Sequence, residues 1–134
     1  MTTGAVRRVQ SGNPWEESFG SARAVAAGDR VLVAGTTAFR GEVLHGEGDP
    51  YEQAKEAFTI ALEAIGAFGL GIESVIRTRV HLAHVRDVDE VGRAHKELFD
   101  SVRPVTTLLV VEGFVDPRAL VSVELEAFRG AVTS

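Results

Sequence analysis

Between residues 105 and 111 the chain reads VTTLLVV, and its apolar side chains fall on both faces of any strand formed there. Side chains on a strand alternate between faces, so a strand with one face in water alternates apolar and polar residues. This run must sit where both faces are covered. That requirement constrains the architecture more than any other feature of the sequence.

The remaining pattern gives the elements from which the cover is drawn. The stretch DPYEQAKEAFTIALEAIGAFG opens with Asp49 as an expected N-cap, Pro50 at the first helical position and Glu52 three residues after the cap. Ala54, Ala57, Phe58, Ala61, Ile65 and Phe68 then recur at steps of three and four, the stripe of an amphipathic helix that Gly69 or Gly71 ends. A second helix, DVDEVGRAHKELFD, has Asp87 as cap and Glu90 three residues on. Its stripe is Val88, Val91, Leu98 and Phe99, and His95 falls on it as a hydrogen-bonded core histidine.

Strands account for the rest. ARAVAAG and RVLVAGTT flank Gly28-Asp29, a hairpin signal, and VRRVQ adds a short first strand. SVIRTRVHLAHV alternates, placing Ile76, Thr78, Val80 and Leu82 on one face and Val75, Arg77, Arg79 and His81 on the other. VTTLLVVEGF and ALVSVELEAF close the chain, separated by a turn at Asp116-Pro117. The order β-β-β-α-β-α-β-β predicts an α+β fold: a mixed sheet with both helices on one face. Two helices cover only one face of such a sheet. Another copy of the chain is the simplest cover for the other, so a homo-oligomer is expected.

On the last strand Val121, Val123, Leu125 and Ala127 form the helix-facing side, while Glu124 and Glu126 share the opposite side, about 7 Å apart along the strand. Two carboxylates directed at an interface need partners, because an unpaired buried charge costs several kcal/mol. Arg77 and Arg79 are candidate cross-strand partners, and Glu126 is read as the structural member of the pair.

Composition removes several function classes. The 134 residues, with 45% apolar and 25% charged content, fit one domain, 1–134, with its core from about 11 to 128. There are no cysteines, which excludes disulfides, thiolate metal sites and a cysteine nucleophile. His81 and His84 fit no helical metal-binding pair, and no metal site is expected. A net charge of −5 without a basic run argues against nucleic acid as a partner. The opening MTTGAVRRVQ lacks the apolar stretch of a signal peptide and no segment has the length of a membrane span, so a cytoplasmic protein without a membrane partner is expected.

The ordered set SGNPWE, VLVAGTT, DPYEQAKEAF, IESVIRTRVHLAHVRD, RPVTT and VSVELEAF resembles the RidA/YjgF family from about Ser11 to Phe128. The resemblance implies a chorismate-mutase-like α+β fold assembled as a homotrimer, with small-molecule clefts between subunits and no required cofactor. It implies hydrolysis of reactive enamines and imines to a keto acid and ammonia. Family members carry an arginine in a P-x-R-[ST] segment that grips the substrate carboxylate. They also carry a glutamate, the first of the closing E-x-E pair, that positions the attacking water.

The glutamate corresponds to Glu124 and the family's glycine beside the cleft to Gly35. The arginine position is Thr106, followed by Thr107, and an aromatic of the family's early G-Y-S segment is replaced by Ser21. Thr106 or Thr107 is then expected to supply hydroxyl and backbone donors, beside the plain reading of β-branched strand residues, and Trp15 with Glu16 either caps the cleft mouth or packs as an N-terminal loop. A threonine offers one neutral hydrogen bond where a guanidinium offers a charged fork, a loss of about 2–5 kcal/mol at a buried contact. The 2-imino acids of the best-known members are accordingly expected to be poor substrates unless Arg23 or Arg103 reaches in. The competing expectations are a trimer that binds small molecules without chemistry and, against the acidic balance, a nuclease.

Overall fold

The structure is a computed structural model that describes residues 5–130; the outermost residues of the expected 1–134 unit, 1–4 and 131–134, lie outside the described residues. Six strands form one sheet in the order β1-β2-β3-β8-β6-β7: β1 Val6–Val9, β2 Ala24–Ala27, β3 Arg30–Thr36, β6 Val75–Leu82, β7 Val105–Val110 and β8 Val121–Phe128. All neighbours run antiparallel except β6 and β7. Helices α2, Pro50–Gly66, and α3, Val88–Phe99, pack against each other, and α2 lies across β8 and β3. The expected α+β arrangement, a mixed sheet with two helices on one face, is the one observed. Two elements go beyond it: a short helix α1, Pro14–Phe19, and a separate hairpin of β4, Phe39–Arg40, and β5, Val43–Leu44.

Local chemistry explains the helix ends. The Asp49 side chain accepts from the Glu52 N–H at 3.1 Å, capping α2 as the sequence predicts. At the other end Gly69 sits at φ 79°, its N–H donates to Gly66 O at 3.0 Å, and the Leu70 N–H reaches Ile65 O at 3.2 Å. This is the bonding of a Schellman motif, which needs a left-handed residue and so favours glycine. At α3 the expectation is only half met. Asp87 holds the cap position, but its side chain makes no capping bond, because a 3-10 turn over Val85–Asp87 already leads the chain into the helix.

The core lies between the helices and the sheet. Ala57, Phe58, Ala61 and Ile65 of α2 meet Val121, Val123, Leu125 and Ala127 of β8, all buried. Burying a large apolar side chain is worth about 1.5–3 kcal/mol, so this seam carries much of the fold's stability.

The predicted phase of β6 holds from Thr78 onward and fails at its start: Val75 is buried and Ile76 is 40% exposed. The pairing with β8 slips between Val75 and Arg77, a bulge that inserts one residue and reverses the facing of those before it. The strand VTTLLV occupies the edge of the sheet, and all its residues are exposed within one chain; Val105 is 64% and Leu109 50% exposed. An exposed apolar edge strand is a pairing surface. Among the described residues nothing buries this strand, so the expected two-sided cover is not provided within one chain.

Candidate functional site

The open face of the sheet, opposite the helices, carries a graded set of charges placed by strand register. Arg79 of β6 stands between Glu124 of β8 and Thr107 of β7, forming one transverse row. The next row is Glu126, Arg77 and Val105. An open concavity of about 340 Å³ lies over these rows and is lined by Arg23, Leu32, Arg77, Arg79, Glu124 and Glu126, among others.

The two glutamates are held differently. Glu126 pairs with Arg30 and lies 3.4 Å from Arg77 Nε, the structural role read from the sequence. Glu124 has Arg79 Nη1 at 3.7 Å and His81 Nε2 at 3.9 Å, distances longer than hydrogen bonds. Its side chain is 35% exposed, so its carboxylate oxygens remain open to water or a ligand. Alternation along β8 explains why both acids share this face.

The remaining candidates separate by position. Gly35 stands where β3 pairs irregularly with β8, and a methyl group placed on it would come within 3.3 Å of Ser122 Oγ, so a small residue suits that close approach. Thr107 lies on the Glu124 face, roughly 10 Å away across two strand spacings. Thr106 does not. It pairs with Thr78, takes the helix side of the sheet edge, and its hydroxyl lies 2.8 Å from Thr78 Oγ1 and 3.3 Å from His95 Nε2. Ser21 and Trp15 lie outside the lining of the concavity. Trp15 is half exposed and stacks edge-on with Phe19 at 5.1 Å within α1.

Of the two arginines considered as substitutes, Arg103 turns away to Asp100, with Nη2 at 2.7 Å from Oδ1. Arg23 does line the concavity. Its Nη1 donates to Gly35 O and Thr36 Oγ1 at 3.2 and 2.8 Å, while its buried Nε lacks a hydrogen-bond acceptor and lies 3.8 Å from Glu16 Oε2. Glu16, buried, accepts from the Ser11 N–H at 2.8 Å. It braces the N-terminal loop.

His95 is the histidine its place on the helical stripe predicts. Its Nε2 lies 2.9 Å from the buried Thr78 hydroxyl, and its ring packs on Phe58 and Phe99. Burial disfavours the imidazolium and holds the pKa below the ordinary value of about 6.5. The unfolded chain therefore binds the extra proton first as the pH falls. The stabilising contribution of neutral His95 is complete above about pH 6.5 and is lost as the pH drops from there towards the folded-state value. Thermal melts from pH 7.5 to 5.5 should show a steeper fall in Tm for the parent chain than for His95→Gln; parallel curves would contradict this account.

Residues 17–129 match the family described as Endoribonuclease L-PSP. The chain belongs to the RidA/YjgF family. A Streptomyces coelicolor protein, SCO2049, is 81% identical over 134 residues and spans 100% of both chains. The crystal structure of Rv2704 from Mycobacterium tuberculosis, of the YjgF/YER057c/UK114 family, superposes with a TM-score of 0.85 at 33% identity, covering 92% of this chain and 99% of that one. The Escherichia coli YjgF gene product shares the fold at 17% identity with a TM-score of 0.77, over 91% of this chain and 97% of its own. Membership agrees with the sheet and its helices. Among the described residues no helix is long and apolar enough to cross a membrane.

Proposed function

We propose that this RidA/YjgF protein hydrolyses an enamine, imine or related unstable metabolite in clefts between the subunits of a homotrimer, with Glu124 orienting the attacking water. The observation that carries the reading is the contrast between the two acids of β8: Glu126 is tied between two arginines, while Glu124 lines a concavity with its closest charged or ionisable partner, Arg79, 3.7 Å away. Glu124 takes a proton from water as its oxygen bonds to the imine carbon and the C=N electron pair moves to nitrogen. It returns that proton to nitrogen to give a carbinolamine, then carries the hydroxyl proton to nitrogen as the C=O bond forms and the C–N bond breaks, and a carbonyl compound and ammonia leave. A positioned carboxylate contributes about 10²–10⁴-fold in such proton transfers.

The intersubunit placement has geometric support. Thr106 and Glu124 occupy opposite faces of one sheet, so a cleft using both draws them from different copies. The exposed apolar residues Leu32, Val105 and Leu109 give those copies a surface to bury. The fold reads as one domain and the setting as cytoplasmic.

The test is timed decay of 2-iminopropionate, generated by an amino acid oxidase, with and without the protein. Weak acceleration by the parent chain and a gain of at least about tenfold with Thr106→Arg are expected, because the guanidinium supplies the missing carboxylate contact. No acceleration by either protein at high concentration removes deamination of 2-imino acids. The second reading, a trimer that binds small molecules without chemistry, then gains support, and the Arg79 guanidinium 3.7 Å from Glu124 favours that residue as a structural acid.

A further inference from the structure

Three polar groups meet in an apolar seam and belong to neither the charged rows nor the concavity. Thr78 Oγ1, fully buried on β6, lies 2.9 Å from His95 Nε2 and 2.8 Å from Thr106 Oγ1, and Thr106 Oγ1 lies 3.3 Å from the same nitrogen. The three heavy atoms form a closed triangle running from the core to the exposed edge strand. Phe58 and Phe99 wall it, their ring centroids 5.4 and 4.7 Å from that of His95. A polar cluster in such surroundings is tolerable only when its members satisfy one another, and Thr106 is the member that reaches solvent.

We infer that Thr78 and His95 are positioning residues that fix the Thr106 hydroxyl as an uncharged hydrogen-bonding point, and that this point receives a neutral amide- or imine-like group of the ligand. The inference rests on the reading that Thr106 lines the ligand cleft. With Nε2 bare, the threonine protons point inward and Thr106 offers a lone pair outward. With Nε2 protonated in the other neutral tautomer, each proton shifts its direction and Thr106 offers its O–H. An amide, which has both an N–H and a carbonyl, satisfies either arrangement.

A carboxylate does not. It accepts only, it carries a charge, and among the described residues of the same chain no cation is turned towards the Thr106 hydroxyl. Arg103 bonds Asp100 at 2.7 Å, and Lys96 lies 3.7 Å from the same carboxylate. Desolvating an anion there is uncompensated. The seam therefore selects against charge where its arginine-bearing relatives select for it.

Propionamide and propionate differ little in shape and fully in charge, and they separate the possibilities. Titrated into the intact protein, propionamide should move the His95 ring proton signals in the NMR spectrum, and propionate should bind at least about tenfold more weakly. Thr106→Val should weaken propionamide binding by about three- to tenfold, the loss of one neutral hydrogen bond, and should silence the His95 response, while Thr106→Ser should restore both. Thr78→Val should likewise uncouple His95 from the ligand. If that variant fails to fold, the exposed Thr106 pair still decides the question. Equal or tighter propionate binding, absent propionamide binding, or indifference to Thr106→Val each overturns the inference. Failure to hydrolyse 2-iminopropionate bears on the reaction alone and leaves this binding result to stand or fall by itself.

Discussion

Glu124→Gln should lower the rate of imine hydrolysis by about 10²–10⁴-fold while leaving Tm close to that of the parent chain. The substitution keeps the shape and the hydrogen-bonding reach of the side chain but removes its ability to take a proton from water. Its cost to stability is small, because the contacts to Arg79 and His81 are long and the side chain is about a third exposed. Exposed pairs of this kind are worth about 0–1 kcal/mol. Glu126→Gln is the matched control: it removes a carboxylate two residues away that is already engaged by Arg30 and Arg77, and it should leave most of the activity. If both variants hydrolyse at the parent rate, Glu124 is a structural acid and its catalytic assignment fails.

Gln53→Leu should destabilise the protein by about 2–5 kcal/mol, a fall in Tm of roughly 7–18 °C for a chain of this size. Gln53 is fully buried on α2. Its Nε2 donates to Gly46 O at 3.2 Å and Arg118 O at 3.1 Å, and its Oε1 accepts from the Leu120 N–H at 2.8 Å. Leucine fills a similar volume without any of these bonds, so three backbone groups around the site lose their partner. Two of them flank the start of β8, the strand that carries Glu124. Activity should therefore fall with stability, but at low temperature it should recover more fully than in Glu124→Gln. Chemical denaturation with urea checks the value, and a midpoint unchanged from the parent would mean that water replaces the amide.

Much of this was legible from residue spacing. The apolar stripe of α2 and the alternation of β8 set which side of each element is buried, because helices repeat every 3.6 residues and strands every two. The pairing of Glu124 and Glu126 on one face followed from the same rule, as did the placement of His95. Spacing failed where an irregularity broke the period. The bulge at the start of β6 reversed Val75 and Ile76, and the 3-10 turn before α3 took over the work expected of the Asp87 side chain. Gln53, a polar residue one position before Ala54 on the helical stripe, and Thr78, on an otherwise apolar strand face, were the visible signs of buried hydrogen bonding.

The sequence by itself determined the two long helices and the six strands of the main sheet, most of their inward faces, the family and the absence of an arginine at position 106. Only the tertiary structure decided which charges meet. It tied Glu126 to Arg30 and Arg77, left Glu124 loose, turned Arg103 out to Asp100 and sent Thr106 to the helix side, in contact with Thr78 and His95. The physical reason is register. Burial depends on a residue's own periodicity along one element, whereas a contact between side chains depends on how two strands distant in the chain are aligned.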